Sequence, residues 1–159
     1  MFEIQIISRY SLTWLKSRYF FKLYSQLTEC EEIDDKKFEK WFNEMINNPL
    51  FVMFGVIKSE PQKPGVELVG TACLYIQPRY YRSVSSSATI EDFVIDSEYR
   101  GQQLGSLLLS KIISYAKERK FYKLTLECDP DLEAFYSNSG FISNKSAMEY
   151  YIDNNKCVE

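Results

Sequence analysis

The spacing of apolar and aromatic positions changes along this chain, and each change marks an element. Residues 2–7 read as a short first strand. From Leu12 to Leu27, Leu15, Tyr19, Leu23 and Leu27 recur at helical spacing. Asp34 or Asp35 can cap a second helix with Phe38, Trp41, Phe42 and Met45 on one face, and Asn47, Asn48 and Pro49 end it. LFVMFGVIK (50–58) and VELVGTACLYI (66–76) read as strands, and KSEPQKPG (58–65) between them reads as a hairpin loop rather than a domain boundary. Tyr80–Ser86 is an irregular strand or loop, and Ser87–Ile95 is β-like.

After Gly101 the period becomes helical again. Leu104, Leu107, Leu108, Ile112 and Tyr115 form a stripe that ends near Lys120, with cations in its last turn. YKLTLEC (122–128) reads as a strand. Asp129 then caps a short helix with Pro130 at its first position, Gly140 stops it, and KSAMEYYI (145–152) reads as a closing strand. This order predicts one α+β domain over residues 1–159, in which the middle strand–helix–strand unit is parallel and right-handed.

Composition narrows the chemistry. With 19 basic and 22 acidic residues the net charge is −3, which argues against a nucleic-acid partner but leaves a local anion site open. No apolar run approaches the ~18 residues of a membrane span. The charged start, MFEIQIISRYSLTWLKSRYFF, lacks a small-residue cleavage site, so a cytoplasmic protein is expected. Cys30, Cys73, Cys128 and Cys157 form no CxxC, so neither a zinc site nor a redox dithiol is signalled, and free thiols and no metal are expected. The chain has no histidine. That removes Ser-His-Asp and Cys-His catalysis and leaves carboxylates, tyrosine, lysine, backbone groups and water.

The stretch EYRGQQLGSLLLSKI (98–112) places two glycines between a strand and a helix. It matches no standard nucleotide fingerprint. Two readings stand side by side. The glycines shape the turn, or they let a phosphate approach the free N–H groups of a helix start, with Arg100 as a charged donor.

RGQQLGSLLLSKI resembles motif A of the GNAT superfamily of N-acetyltransferases, Arg/Gln-x-x-Gly-x-Gly/Ala. Arg100 and Gly105 match, and Gln103 stands where many members have glycine. FYSNSGF (135–141) resembles motif B of that superfamily. Together with SQLT (25–28), IED (90–92) and YKLTLEC (122–128), these make the chain most similar to the glucosamine 6-phosphate N-acetyltransferases, from Leu23 to Tyr151.

The resemblance implies a mixed, mostly antiparallel central sheet, with a parallel splay between the fourth and fifth strands and helices on both faces. It implies acetyl transfer from acetyl-CoA to the 2-amino group of glucosamine 6-phosphate, within UDP-N-acetylglucosamine synthesis, in a homodimer with sites near the interface. Phe93, Val94 and Ile95 would pair with the pantetheine arm. Arg100, Gly101, Gln102, Gln103, Leu104, Gly105 and Ser106 would hold the pyrophosphate, and Tyr136 and Asn138 would complete the cofactor site. Thr28, Arg79, Arg82, Glu91, Asp92, Tyr122, Lys123 and Glu127 would meet the aminosugar phosphate. Asp92 and Glu127 would help remove the amine proton, and Tyr136 would protonate the departing thiolate.

Plain alternatives stand beside these roles. Strand alternation would turn either Glu91 or Asp92 to solvent. Thr28 reads as a helix-end cap, Lys123 and Glu127 as surface charges, and the arginines as a solvated pair. Cys128 is the one cysteine expected near the site, and it reads as a small buried residue rather than an acyl carrier. Tyr151 and Leu132 depart from the family, which has a basic residue and an asparagine there. A different amine acceptor (polyamine, aminoglycoside or protein N-terminus) and a non-catalytic acyl-CoA-binding module are the rival readings.

Overall fold

The computed structural model describes residues 1–8, 11, 15–59, 65–80 and 84–143. The expected closing strand at 145–152, together with Arg82, Tyr151 and Cys157, lies outside the described residues. The chain divides into two compact units, 1–126 and 127–159.

In the first unit, β1 (Phe2–Ile6), α1 (Ser17–Tyr24), α2 (Asp35–Ile46), β2 (Phe51–Ser59), β3 (Val66–Pro78), β4 (Ser86–Ile95), α3 (Leu104–Glu118) and β5 (Lys123–Thr125) follow in that order. The strands form one sheet in the order β1-β2-β3-β4-β5. β1 to β4 are antiparallel neighbours, and β5 joins β4 in parallel after the α3 crossover.

Helix boundaries follow from local chemistry. Asp34 caps α2 by accepting from the Lys37 N–H at 2.9 Å. The neighbouring Asp35 turns to α1, where it accepts from the Ser17 hydroxyl at 2.8 Å and the Ser17 N–H at 3.2 Å. One aspartate thus caps its own helix while the next satisfies the opening of another. Leu27, expected on the α1 stripe, falls in the turn beyond the helix and is exposed.

Alternation along β2 places helices on both faces of the sheet. Phe51, Met53 and Ile57 join Leu15, Phe20, Leu23, Phe38 and Phe42 in one core cluster. Phe54 points the other way and meets Tyr115 of α3 edge-on, with ring centroids 5.4 Å apart. On α3 the buried residues are Leu104, Leu108, Leu109, Ile112, Tyr115 and Ala116, whereas Leu107, expected on the stripe, is exposed. The last strand is also shorter than expected, covering Lys123–Thr125 rather than 122–128.

The second unit opens with a 3₁₀ turn (Pro130–Leu132) that leads into α4 (Glu133–Ser137). Asp129 takes the cap position expected of it but makes no side-chain cap hydrogen bond. Gly140 follows at φ +93, the left-handed stop that glycine accepts most readily.

Candidate active site

β4 is flanked by β3 along almost its whole length, but by β5 only at Ser87↔Lys123, Ala88↔Leu124 and Thr89↔Thr125. β4 continues to Ile95, so the parallel ladder ends six residues before the strand does. Past that point the β5-facing edge of β4 is outside the ladder, and an edge of this kind can pair with an extended, amide-bearing ligand. This stretch contains Phe93, Val94 and Ile95.

On its other side β4 carries a bulge. Cys73 pairs with Glu91 and Thr71 with Val94, so Asp92 and Phe93 both stand opposite Ala72. Asp92 sits at φ +53, in the left-handed region that aspartate tolerates better than most residues. The extra residue resets the alternation, and Asp92 is half-buried while Glu91 remains exposed. Glu91 shares a face with Cys73 through the ladder, and the Asp92 carboxylate lies on that same face, under α1.

There the Tyr24 hydroxyl, from the last residue of α1, donates to Asp92 Oδ2 at 3.3 Å and lies 3.8 Å from Cys73 Sγ. Burial pushes the Asp92 carboxyl above the usual carboxylate range, against hydrogen bonds from Cys73 and Tyr24 that favour its ionised form. Burial, then the Asp92 charge, raises Cys73 well above an ordinary thiol. Burial likewise raises Tyr24. Both neighbours therefore remain protonated donors at neutral pH. Tyr75 is pushed up to about 12 by burial and then by Cys73, Asp92 and Glu91.

Sequence reasoning missed Tyr24, Cys73 and Tyr75, and its reading of Cys128 as a small buried residue is corrected, because Cys128 is exposed. Cys73, which is buried, lies beside Asp92. The available signal was strand alternation, since Cys73 and Tyr75 are two apart on β3 and must share a face. The bulge that brings Asp92 to them had none.

Asp96 follows β4. Its carboxylate accepts from the Glu98 N–H at 3.1 Å and so opens the short 3₁₀ turn Ser97–Tyr99. The chain then reverses through Gly101 at φ +78, where a Cβ would meet nothing within 4 Å. Gln103, at φ +61, precedes α3 and makes no side-chain cap hydrogen bond. The opening turn of α3, Leu104 to Ser106, is thus not sealed by its own cap residue, and its N–H groups and dipole suit an anion. Arg100 borders this turn, its Nε donating to the Ile95 carbonyl at 3.0 Å.

A basic end lies at the opposite end of β4. Arg79 donates through Nε to the Ser87 hydroxyl at 3.0 Å and through its terminal nitrogen to Gln77. Both acceptors are neutral, so these contacts do not cancel its charge. Lys123 is exposed and in register with Ser87, and the Tyr122 N–H donates to the Ser86 carbonyl at 2.7 Å. Thr28 is exposed in the turn after α1, its N–H donating to the Tyr24 carbonyl at 3.1 Å. The structure therefore gathers Glu91 and Asp92 with Tyr24 and Cys73, and sets Arg79 and Lys123 at one end of the sheet.

Glu127, Tyr136 and Asn138 belong to the second unit. Glu127 and Asn138 are exposed, and Tyr136 is 7% exposed. The Tyr136 ring packs against Phe135 at 4.9 Å and Phe141 at 5.9 Å between centroids. Burial, then the Cys128 charge, pushes its phenol up to about 12, so it holds its proton at neutral pH. Among the described residues no cluster of His, Cys, Asp and Glu could hold a metal ion, and no helix is long and apolar enough to cross a membrane.

Known proteins resemble this chain in sequence and fold. A rice protein described as a probable glucosamine 6-phosphate N-acetyltransferase (Oryza sativa subsp. japonica) is 28% identical over 134 residues, covering 83% of this chain and 79% of its own. The Arabidopsis thaliana glucosamine 6-phosphate N-acetyltransferase is 28% identical over 138 residues, covering 87% and 91%. The crystal structure of glucosamine-6-phosphate N-acetyltransferase from Arabidopsis thaliana superposes with a TM-score of 0.81 at 25% identity, over 96% of this chain and 99% of that one. Residues 10–141 match the Acetyltransferase (GNAT) family, and with the short parallel ladder of β4 and β5 and the glycine turn that follows β4, the chain belongs to that family.

Proposed function

We propose that this protein is a glucosamine 6-phosphate N-acetyltransferase that moves the acetyl group of acetyl-CoA to the 2-amino group of D-glucosamine 6-phosphate. The observation that carries the reading lies on one strand. β4 leaves its parallel partner after Thr89 and, just beyond, carries Glu91 and Asp92 on a single face. The relatives named above supply the acceptor. A homodimer in the cytoplasm, with sites near the interface, belongs to the same reading.

Acetyl-CoA supplies the activated acyl group. The edge from Phe93 to Ile95 pairs with its pantetheine arm, and the turn from Arg100 through Gly101, Gln102, Gln103, Leu104 and Gly105 to Ser106 receives its pyrophosphate. Asn138 and Tyr136 adjoin that cofactor. The open space beside Gly101 and the uncapped start of α3 suit such a group. Arg79, Arg82 and Lys123 hold the sugar phosphate, and arginine brings a planar fork for it. Thr28, Tyr122, Glu91 and Asp92 orient the sugar.

The amine attacks the thioester directly, with no acyl-enzyme. An alkyl amine of pKa about 10 is neutral in roughly one molecule per thousand at pH 7, costing about 4 kcal/mol. A sugar amine is less basic, so its cost is smaller. Its proton leaves through water or backbone carbonyls, with Asp92 or Glu127 favouring its departure. A backbone N–H of Phe93 or Val94 meets the developing oxyanion. Tyr136, already protonated, gives its proton to the departing thiolate.

The test is thiol release from acetyl-CoA with glucosamine 6-phosphate, glucosamine, a polyamine and an aminoglycoside. A phosphate-reading site prefers the first over the second by at least tenfold in kcat/KM. Equal turnover of both sugars, or turnover of the polyamine alone, overturns the assignment of acceptor. CoA binding with no turnover of any amine overturns the assignment as an enzyme.

A further inference from the structure

The hydroxyl of Tyr24 has no part in the reading above, yet it is the group from α1 that meets Asp92. We propose that Tyr24 is a positioning residue for acetyl transfer: its hydroxyl, fixed at the end of α1, holds the Asp92 carboxylate in the orientation and charge state in which it receives the substrate amine. The proposal rests on the function given above, in which Asp92 faces that amine.

Three observations on different elements carry it. Asp92 occupies the extra position of a β-bulge at φ +53, a conformation that needs support from its surroundings. Without a contact from the helix side its carboxylate would be free to swing away. The support comes from Tyr24, whose hydroxyl reaches Asp92 Oδ2 at 3.3 Å and lies 3.8 Å from Cys73 Sγ. Tyr24 is in turn locked by the core. Its ring lies 5.8 Å from Phe20, which packs at 4.9 Å on Phe38 of α2. A hydroxyl held this way cannot follow the carboxylate if the carboxylate turns.

Charge points the same way. Among the described residues, the titratable groups facing Asp92 are Tyr24 from α1, Cys73 and Tyr75 from β3, and Glu91 from β4 itself. Those on α1 and β3 are neutral at pH 7, and Glu91 is the remaining carboxylate. Burial favours the protonated form of Asp92, and the donors Cys73 and Tyr24 oppose it. A protonated Asp92 neither attracts an ammonium nor accepts its proton. The Tyr24 O–H therefore favours the ionised carboxylate that the reaction uses, and the thiol of Cys73 is the weaker second donor.

Tyr24→Phe keeps the ring and removes the donor. The expected result is a fall of about tenfold in kcat/KM for the aminosugar at pH 7, with KM for acetyl-CoA unchanged. The acid limb of the pH–rate profile moves to higher pH, and so does the titration of the Asp92 carboxyl carbon followed by ¹³C NMR. A purely structural role would lower activity equally at every pH and leave the carboxyl titration where it is, and that outcome overturns the proposal. Should the variant fail to fold, the wild-type protein serves. The ¹³C shift of the Tyr24 ring carbon bearing oxygen must then follow the Asp92 titration with the same midpoint, and a flat response overturns the proposal. Neither NMR measurement depends on the acceptor. A wild-type protein that ignores glucosamine 6-phosphate but shows the linked titrations refutes the proposed substrate and keeps the Tyr24–Asp92 pairing.

Discussion

Lys22 Nζ stands 2.7 Å from Asp96 Oδ2, joining α1 to the segment that leads from β4 into the glycine turn. The Asp96 side chain is 1% exposed, and its other oxygen accepts from the Glu98 N–H. Gln26 adds to the join, since its carbonyl oxygen accepts from the Ser97 N–H at 2.9 Å. The same short helix end therefore touches the Asp92 bulge through Tyr24 and, through Lys22 and Gln26, the segment that leads into the glycine turn.

Lys22→Ala leaves that buried carboxylate without its cation. Breaking a fully buried pair costs about 3–5 kcal/mol, and the half-exposed position of Lys22 reduces the expectation to about 1–3 kcal/mol. Burial pushes Asp96 up, but the Lys22 ammonium, the Glu98 N–H and the Gln26 amide outweigh it and hold the carboxyl below its ordinary range. A carboxylate with a depressed folded pKa adds stability above its unfolded value, near pH 4, and loses it as pH falls through the folded value. Urea denaturation of wild type and variant checks both points. The gap between their stabilities is fully open at pH 6 and narrows below pH 4.

Gly101 turns at φ +78 in open space. Gly101→Ala therefore meets no atom, and its cost is backbone strain of about 1 kcal/mol. If the turn receives a pyrophosphate, the KM for acetyl-CoA rises severalfold while the KM for the sugar changes little. Isothermal titration with CoA separates the two effects, and unchanged CoA affinity removes the turn from the cofactor site.

Arg79 donates only to neutral partners in the contacts described, Ser87 and Gln77. Arg79→Ala should raise the KM for glucosamine 6-phosphate by tenfold or more and leave the rate with unphosphorylated glucosamine nearly unchanged. Arg79→Lys should recover only part of the loss, because a lysine presents a point charge and not a fork. Equal effects on both sugars would take Arg79 out of the phosphate site.

Tyr136, with its phenol pushed up to about 12, carries a proton throughout the physiological range. If Tyr136 is the general acid, Tyr136→Phe lowers kcat roughly tenfold to a hundredfold with little change in either KM. The wild-type rate should show no fall from Tyr136 deprotonation below about pH 10. Steady-state kinetics across pH decide this, and full turnover by Tyr136→Phe would leave the thiolate to be protonated by water.

Much of the fold was legible because periodicity records burial. Phe38, Phe42, Leu108 and Ile112 are all buried at helical spacing, and Asp34 caps α2 as a short acid before an apolar stripe should. Leu107 was not legible as an exposed residue. In a run of three leucines period alone does not say which turn outward, and only contact with the sheet selects Leu108 and Leu109. The length of β5 was equally hidden, since LTLEC has strand character throughout while the ladder ends at Thr125. Pairing depends on where the partner strand runs.

The sequence by itself determined the order of elements from β1 to α4, the glycine turn and the motifs that tie the chain to the GNAT family, because each of these is a property of neighbouring residues. Tertiary structure alone decided that Asp92 shares a face with Glu91, that the Cys73 thiol lies beside it, and that Tyr24 reaches both. The cause is a single extra residue in β4. A bulge inverts the alternation of everything after it, and whether a strand bulges is settled by its register with the neighbouring strand, which no short stretch of sequence contains.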